Sequence, residues 1–296
     1  MTNKRWTIKE LLDLTTKYLT EKAIDSPRLC AEVLLSHQLK KTRIELYLDY
    51  DQPLREDEIT GFRRLVRRRV KREPLQYITG HQEFWSLDLV VNPAVLIPRP
   101  ETEILVDEAL SLRKSGLLSN DRTPMILDVG TGSGAIAIAL AKEIEGARIW
   151  ASDISPEALA LAEENAQRHH LRERIQFYEG DLLEPFRGSS WAFDMIVSNP
   201  PYIATEEFGS LAPEIRCYEP RTALDGSQGG MHLIERLIGD SGPYLRAGGW
   251  LLVEMDPHQT ERALNLIDSA HCFGYKERVV DYRKSFRMVK AQKKNG

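Results

Sequence analysis

"MILDVGTGSGAIAIALAKEI", residues 125–144, decides the fold. A five-residue segment with four apolar members runs into Gly130-Thr131-Gly132-Ser133-Gly134 and then into an alanine-rich stretch, which reads as strand, tight turn and helix. Outward from it, RIWAS leads to Asp153, Ser155-Pro156 starts the next helix, and IQFYEG ends at Asp181. FDMIVS (193–198), WLLVEM (250–255) and two segments around 275–281 and 286–290 complete seven strands. Strands alternating with helices predict an α/β fold: a seven-stranded, mostly parallel sheet covered on both faces, with ligands bound at the carboxyl ends of the strands.

The glycine turn has two readings. Glycines let backbone N–H groups approach a ligand, with the following helix N-terminus favouring an anion, and they equally serve a tight turn that binds nothing. Asp153 weighs toward a ligand, because an acidic side chain about 20 residues further on, at the end of the second strand, accepts both hydroxyls of a ribose. The pair points to an adenosine-containing cofactor. The turn is GTGSG and not GxGxxG, and the chain has no GxxxxGK[ST], which argues against nicotinamide and P-loop nucleotides. Asp181 is placed to receive an adenine amino group and Asp128 to hold an ammonium group; either could instead cap a neighbouring helix.

The segment SNPPYI (198–203) ends the fourth strand with an amide, two prolines and a tyrosine. Two consecutive prolines remove two N–H donors and fix φ, so this corner is stiff by construction.

Composition bounds the rest. At 296 residues, 42% hydrophobic and 28% charged, the chain has room for two domains. No apolar run reaches the roughly 20 residues of a membrane span, and MTNKRWTIKELL lacks the features of a signal peptide, so a cytoplasmic location without membrane partners is expected. Cys30, Cys217 and Cys272 are too scattered for a disulfide framework, and no metal-ligand spacing occurs. Residues 1–85 carry 17 Lys and Arg against 13 Asp and Glu, a net +4, which leaves −8 for residues 86–296.

The basic part reads as a helical bundle over 1–74, with capping boxes at Thr7/Glu10 and Thr42/Glu45 and a start at Ser26-Pro27. Ile8, Leu11, Leu12, Leu19, Ile59, Phe62, Val66 and Val70 recur at helical spacing and form its core. Arg63, Arg64, Arg67, Arg68 and Lys71 fall on the other face, either simply solvated or a docking surface for an acidic protein or nucleic acid. Residues 75–98 read as a hairpin around Gly80-His81 that connects this bundle to a catalytic domain over 99–296, whose first helix starts near Pro100.

The ordered string DVGTGSG, Asp153, Asp181 and NPPY resembles the class I (Rossmann-like) S-adenosylmethionine-dependent methyltransferases. With EPLQYITG (73–80), FW (84–85), LIPRPETE (96–103) and EPRTAL (219–224), nearly the whole chain is similar to the HemK-type protein-(glutamine-N5) methyltransferases of peptide-chain release factors. The resemblance implies S-adenosylmethionine as cofactor and S-adenosylhomocysteine as product. It implies a cofactor site of Gly130, Thr131, Gly132, Ser133, Gly134, Asp153, Asp181, Leu182 and Asn199. It implies that the Asn199 side-chain oxygen and the Pro200 carbonyl accept the two N–H groups of the target amide, while Pro201 and Tyr202 pack about it. The target would be the Gln of a Gly-Gly-Gln loop on class I release factors, docked on the helical domain, with no nucleic acid required. Two departures stand out: Leu182 replaces the family's frequent aromatic residue, and LVEMDPHQ stands where EIGxxQ is expected, so Glu254 receives no role. The alternative is an amino-methyltransferase acting on adenine or cytosine of nucleic acid, which also uses NPPY.

Overall fold

A computed structural model describes residues 6–118 and 122–295. Its contacts divide the chain into two units, one reaching to Gly80 and including Ala212–Tyr218, the other comprising His81–Leu211 and the chain from Glu219 onward.

The first unit holds α1 (Ile8–Glu21), α2 (Pro27–Leu39), α3 (Arg43–Leu48), α4 (Glu56–Val70) and α5 (Leu75–Thr79). Both expected capping boxes form, Thr7 with Glu10 and Thr42 with Glu45, satisfying N–H groups that a helix start leaves unpaired. Ser26 does not cap with its side chain: it is left-handed (φ 48°) and makes no side-chain capping bond, so Pro27 alone marks the start of α2. Ile8, Leu11, Leu12 and Leu19 meet Leu34, Leu35, Ile59, Phe62 and Val66 in one core, against which Val70 packs half-buried. On α4, Arg63, Arg64 and Arg67 are exposed, whereas Arg68 is bound to Glu73 and to the Tyr77 carbonyl. Arg69 is buried and paired with Glu214 at 2.9 Å.

The hairpin lies later than the sequence placed it. Residues 75–79 are helical and Gly80 (φ 81°) ends that helix, while β1 (His81–Phe84) and β2 (Leu87–Val90) turn at Trp85-Ser86. Both turn residues have positive φ, 52° and 54°, the twist a two-residue hairpin needs, supplied without the usual Asn-Gly.

The main sheet comprises β3 (Met125–Val129), β4 (Arg148–Asp153), β5 (Ile175–Glu179), β6 (Phe193–Ser198), β7 (Leu245–Glu254), β8 (Phe273–Val280) and β9 (Phe286–Lys293), in the order β5-β4-β3-β6-β7-β9-β8. The first five pair in parallel, and β9 and β8 close the sheet antiparallel. It is the seven-stranded, mostly parallel sheet that the sequence predicts. Helices α6 (Glu103–Lys114), α7 (Ala135–Glu143) and α8 (Pro156–Arg168) precede α9 (Pro213–Tyr218), which belongs to the first unit, and α10 (His232–Ser241) and α11 (Thr260–Ser269) follow.

Successive strand residues point to opposite faces, so a sheet covered twice needs continuous apolar strands. Ile126, Met195, Val197 and Leu252 pack with α6 and α7 on one face, and Leu127, Ile196, Leu251 and Val253 with α10 and α11 on the other. Helix α7 is buried from Ala135 to Ala141, as its all-apolar sequence requires. The chain moves from β3 to β4 and β5 on one side and returns to β6 on the other, which opens a crevice at the strand ends beside β3.

Asn165, fully buried on α8, ties the hairpin to that crevice. Its Oδ1 accepts the Val90 N–H at 2.7 Å, and its Nδ2 donates to the Val90 carbonyl (3.0 Å) and the Ser133 carbonyl (2.9 Å). Replacing Asn165 with Ala strands three backbone groups, and at about 1 kcal/mol each the loss should be about 3 kcal/mol in urea unfolding. An unchanged midpoint and slope would show that this tether contributes nothing to stability.

Candidate active site

The crevice is a cavity of about 240 Å³ at the carboxyl ends of β3, β4 and β6. Among the residues expected from sequence, Gly130, Thr131, Gly132, Ser133, Asp153, Asp181, Leu182, Asn199 and Pro201 line it. Gly134 does not; it is the left-handed cap of α7 (φ 82°). Pro200 is buried beside it, and Tyr202 lines a neighbouring hollow.

The glycine turn acts differently from an anion cradle. The N–H groups of Gly130 and Thr131 both donate to the Ser152 carbonyl, that of Gly132 to Asp153 Oδ2 (2.8 Å) and that of Gly134 to the Thr131 carbonyl. Four donors are thus spent inside the protein. What the glycines supply is room: both Gly130 (φ 72°) and Gly132 (φ 55°) are left-handed, and no atom lies within 4 Å of where a Cβ would stand. Asp128 also departs from expectation. It is fully buried beneath the turn, its Oδ2 accepting from Thr131 Oγ1 (2.7 Å) and Ala137 N (3.1 Å), and burial pushes its carboxyl up to about 7. It braces the turn and is not among the residues lining the cavity.

Asp153 accepts one backbone N–H on each oxygen, from Gly132 and from Ser155 (3.0 Å), which leaves each a second lone pair for a hydroxyl. Burial raises its pKa. Asp181 gives Oδ2 to Arg236 (2.7 Å) and keeps Oδ1. Leu182 adopts φ 51°, a conformation that costs a non-glycine residue roughly 1 kcal/mol and that no sequence signal announces.

The NPPY corner is held from three sides. Asn199 Nδ2 donates to Thr102 Oγ1 at 3.0 Å. Gln259 Nε2 donates to the Tyr202 carbonyl at 2.8 Å, which gives the Gln of LVEMDPHQ a task. Gly226 and Gly230 lie so close that a Cβ on either would come within 2.8 Å of Tyr202 backbone atoms. The Tyr202 hydroxyl is 3.5 Å from Glu254 Oε1, and burial with this neighbour raises its pKa above the ordinary phenol range.

A second wall was not foreseen. Val95, Leu96, Pro98, Arg99 and Thr102 line the cavity, so the end of the presumed connector belongs to the site. Arg99 pairs with buried Glu219, whose carboxylate also takes the Ile97 N–H, and Glu103 accepts from Trp85 N at 2.8 Å. The sequence offered LIPRPETE, FW and EPRTAL only as strings; in space each grips another.

The family model "PrmC N-terminal domain" matches residues 10–80, and "Methyltransferase small domain" matches residues 106–215. The release factor glutamine methyltransferase of Geobacter sulfurreducens is 47% identical over 261 residues, 88% of each chain. That of Chlorobaculum tepidum is 43% identical over 284 residues, 95% of each. Among solved structures, the hMettl16 catalytic domain in complex with MAT2A 3'UTR hairpin 1 matches with a TM-score of 0.57 at 16% identity, covering 95% of this chain and 91% of that one, a likeness of fold alone. S-adenosylmethionine, the cofactor of such enzymes, fits the residues present: it has no phosphate and so needs no cradle of N–H groups, it fills room above glycines, and its ribose hydroxyls suit the open lone pairs of Asp153. With relatives this similar along nearly its whole length, the chain belongs to the release factor glutamine methyltransferases, HemK/PrmC-type members of the class I S-adenosylmethionine-dependent methyltransferases.

Proposed function

We propose that this protein methylates the side-chain amide nitrogen of the glutamine in the Gly-Gly-Gln loop of class I release factors. The observation that carries the reading is the braced Asn199 amide: its Nδ2 is bonded to Thr102, so its Oδ1 remains as an acceptor at a cavity suited to the cofactor.

S-adenosylmethionine, when bound, supplies a methyl group on a positively charged sulfur. The residues that would hold it are Gly130, Thr131, Gly132 and Ser133 beneath it, Asp153 at the ribose, and Asp181 with Leu182 at the adenine. A carboxamide nitrogen is a poor nucleophile because its lone pair is delocalised into the carbonyl. Position therefore does the work: Asn199 Oδ1 and the Pro200 carbonyl accept the two amide N–H groups and orient the nitrogen, and as acceptors they stabilise the positive charge that grows on it. Pro200 and Pro201 fix φ on either side of that carbonyl, and Tyr202 backs the amide plane.

A glutamine alone offers too little surface for selection among all glutamines, so a second contact is needed. The exposed Arg63, Arg64 and Arg67 of α4 supply it in this reading, against an acidic face of the release factor; Arg68 is left out because Glu73 already occupies it.

Asn199→Ala should lower methyl transfer about a hundredfold, roughly 3 kcal/mol, with cofactor affinity nearly unchanged. Turnover close to normal removes the mechanism. Asp153→Ala should weaken cofactor binding at least tenfold by calorimetry, since charge-assisted hydrogen bonds contribute about 1.5–3 kcal/mol each; unaltered affinity means that the ribose lies elsewhere. Changing Arg63, Arg64 and Arg67 to Glu should raise KM for the intact factor, most at low salt, and leave a Gly-Gly-Gln peptide unaffected. Equal effects on both substrates would assign these arginines to folding instead.

A further inference from the structure

Arg236 is not among the residues lining the cavity at the strand ends, yet it holds one that is. Asp181 and Leu182 line both that cavity and a second hollow of about 240 Å³, whose other walls include Glu184, Arg187, Arg236 and Asp240. Leu233, one turn before Arg236 on α10, lines the first cavity, so one helix serves both spaces. Between them Arg236 Nη2 donates to Asp181 Oδ2 at 2.7 Å, and each of the two side chains is 32% exposed.

The backbone of this corner is fixed by its own bonds. The Gly180 N–H donates to the Asp153 carbonyl (2.9 Å), the Glu184 N–H to the Asp181 carbonyl (3.0 Å) and the Ser152 hydroxyl to the Leu182 carbonyl (3.3 Å). None of the three restrains the Asp181 carboxylate, which turns about two single bonds. The Arg236 bond does: with Oδ2 engaged by a residue of the second hollow, Oδ1 is the oxygen left for the cavity. We infer that Arg236 is a positioning residue for the cofactor: by taking one carboxylate oxygen of Asp181 it presents the other to the 6-amino group of adenine, and so sets the preference for adenine over a base that carries oxygen at that position. The inference rests on the placement of adenine at Asp181 proposed above.

The discrimination is one-sided in its chemistry. An ionised carboxylate only accepts hydrogen bonds, so an amino group meets it and a 6-oxo group opposes it lone pair to lone pair. A site built to bond an N–H rejects an analogue that lacks it far more strongly than apolar contact can. The same oxygen must stay in place for this to hold. Without the Arg236 guanidinium, Asp181 shares the second hollow with Glu184 and Asp240, and Arg187 is the remaining cation among its lining residues. Three carboxylates so gathered repel one another, and Asp181, half-exposed, then turns toward water.

The test titrates the full chain, by calorimetry, with S-adenosylhomocysteine and with S-inosylhomocysteine, which carries a 6-oxo group in place of the 6-amino group. The unaltered protein should prefer the adenosyl ligand by at least about tenfold. Arg236→Gln should weaken the adenosyl ligand roughly five- to tenfold and leave the inosyl ligand within about twofold, so that the preference collapses. The retained inosyl binding shows at the same time that the variant is folded. Arg236→Lys, which keeps the charge without the planar fork, should recover most of the loss. Adding Arg236→Gln to Asp181→Ala should cost nothing more, because the arginine acts through the aspartate. Equal losses for both ligands in Arg236→Gln, or an undiminished preference beside an Asp181→Ala that has lost it, overturn the inference alone. A preference that survives in Asp181→Ala overturns the placement of adenine beneath it.

Discussion

A carboxylate taken out of water costs several kcal/mol unless its lone pairs are matched, and Glu219 is matched on both sides. The Arg99 guanidinium and the Ile97 N–H converge on it, and burial still lifts its pKa above the ordinary carboxylate range. Residues 97–99 are therefore bound to a point 120 residues further along the chain. That bond holds the segment from Val95 to Thr102 as a wall, and Thr102 is the residue on which Asn199 rests. The ion pair thus adds to the burial of Val95, Ile97 and Thr102 in fixing the wall against which the Asn199 amide is held.

The sheet supplies the rest of the precision. Four parallel strands, β3 to β6, deliver Val129, Asp153, Glu179 and Ser198 to one edge, so the turns that follow start from a rigid line. Room in the cavity then comes from missing side chains at Gly130 and Gly132, and charge comes from Asp153 and Asp181. The division is economical in physical terms: the backbone donors of the turn stabilise the turn itself, and the carboxylates of Asp153 and Asp181 are left to line the cavity.

Much of this was legible because two-sided burial writes itself as continuous apolar runs: MILDV and FDMIVS give β3 and β6 to the residue. Capping boxes are equally plain, since their chemistry is local. What failed was non-local or conformational. The start of β7 at Leu245, ahead of the expected Trp250, was hidden because Leu245 pairs with Phe193 across an irregularity in register that takes in Gly248 and Gly249. The Trp85-Ser86 turn and Leu182 use positive φ without glycine, and tertiary packing, which enforces such angles, leaves no trace in a single sequence. Most residues expected at the site line the cavity, while the partners that orient them, Thr102, Gln259 and Glu219, were not legible, because each lies tens of residues from the group it holds.

Asp128 has a consequence for the whole molecule. Its carboxyl stands at about 7 in the fold against an ordinary value of 3.8, so the folded chain keeps a proton that the unfolded chain gives up. The sign follows from linkage: this group's contribution to stability is complete below about 3.8 and is lost as pH rises through about 7. Because Thr131, a wall of the cavity, is bonded to the same carboxyl, the titration that loosens the fold also reaches the cofactor turn. Fold stability and the bracing of the glycine turn thus depend on one proton near neutrality.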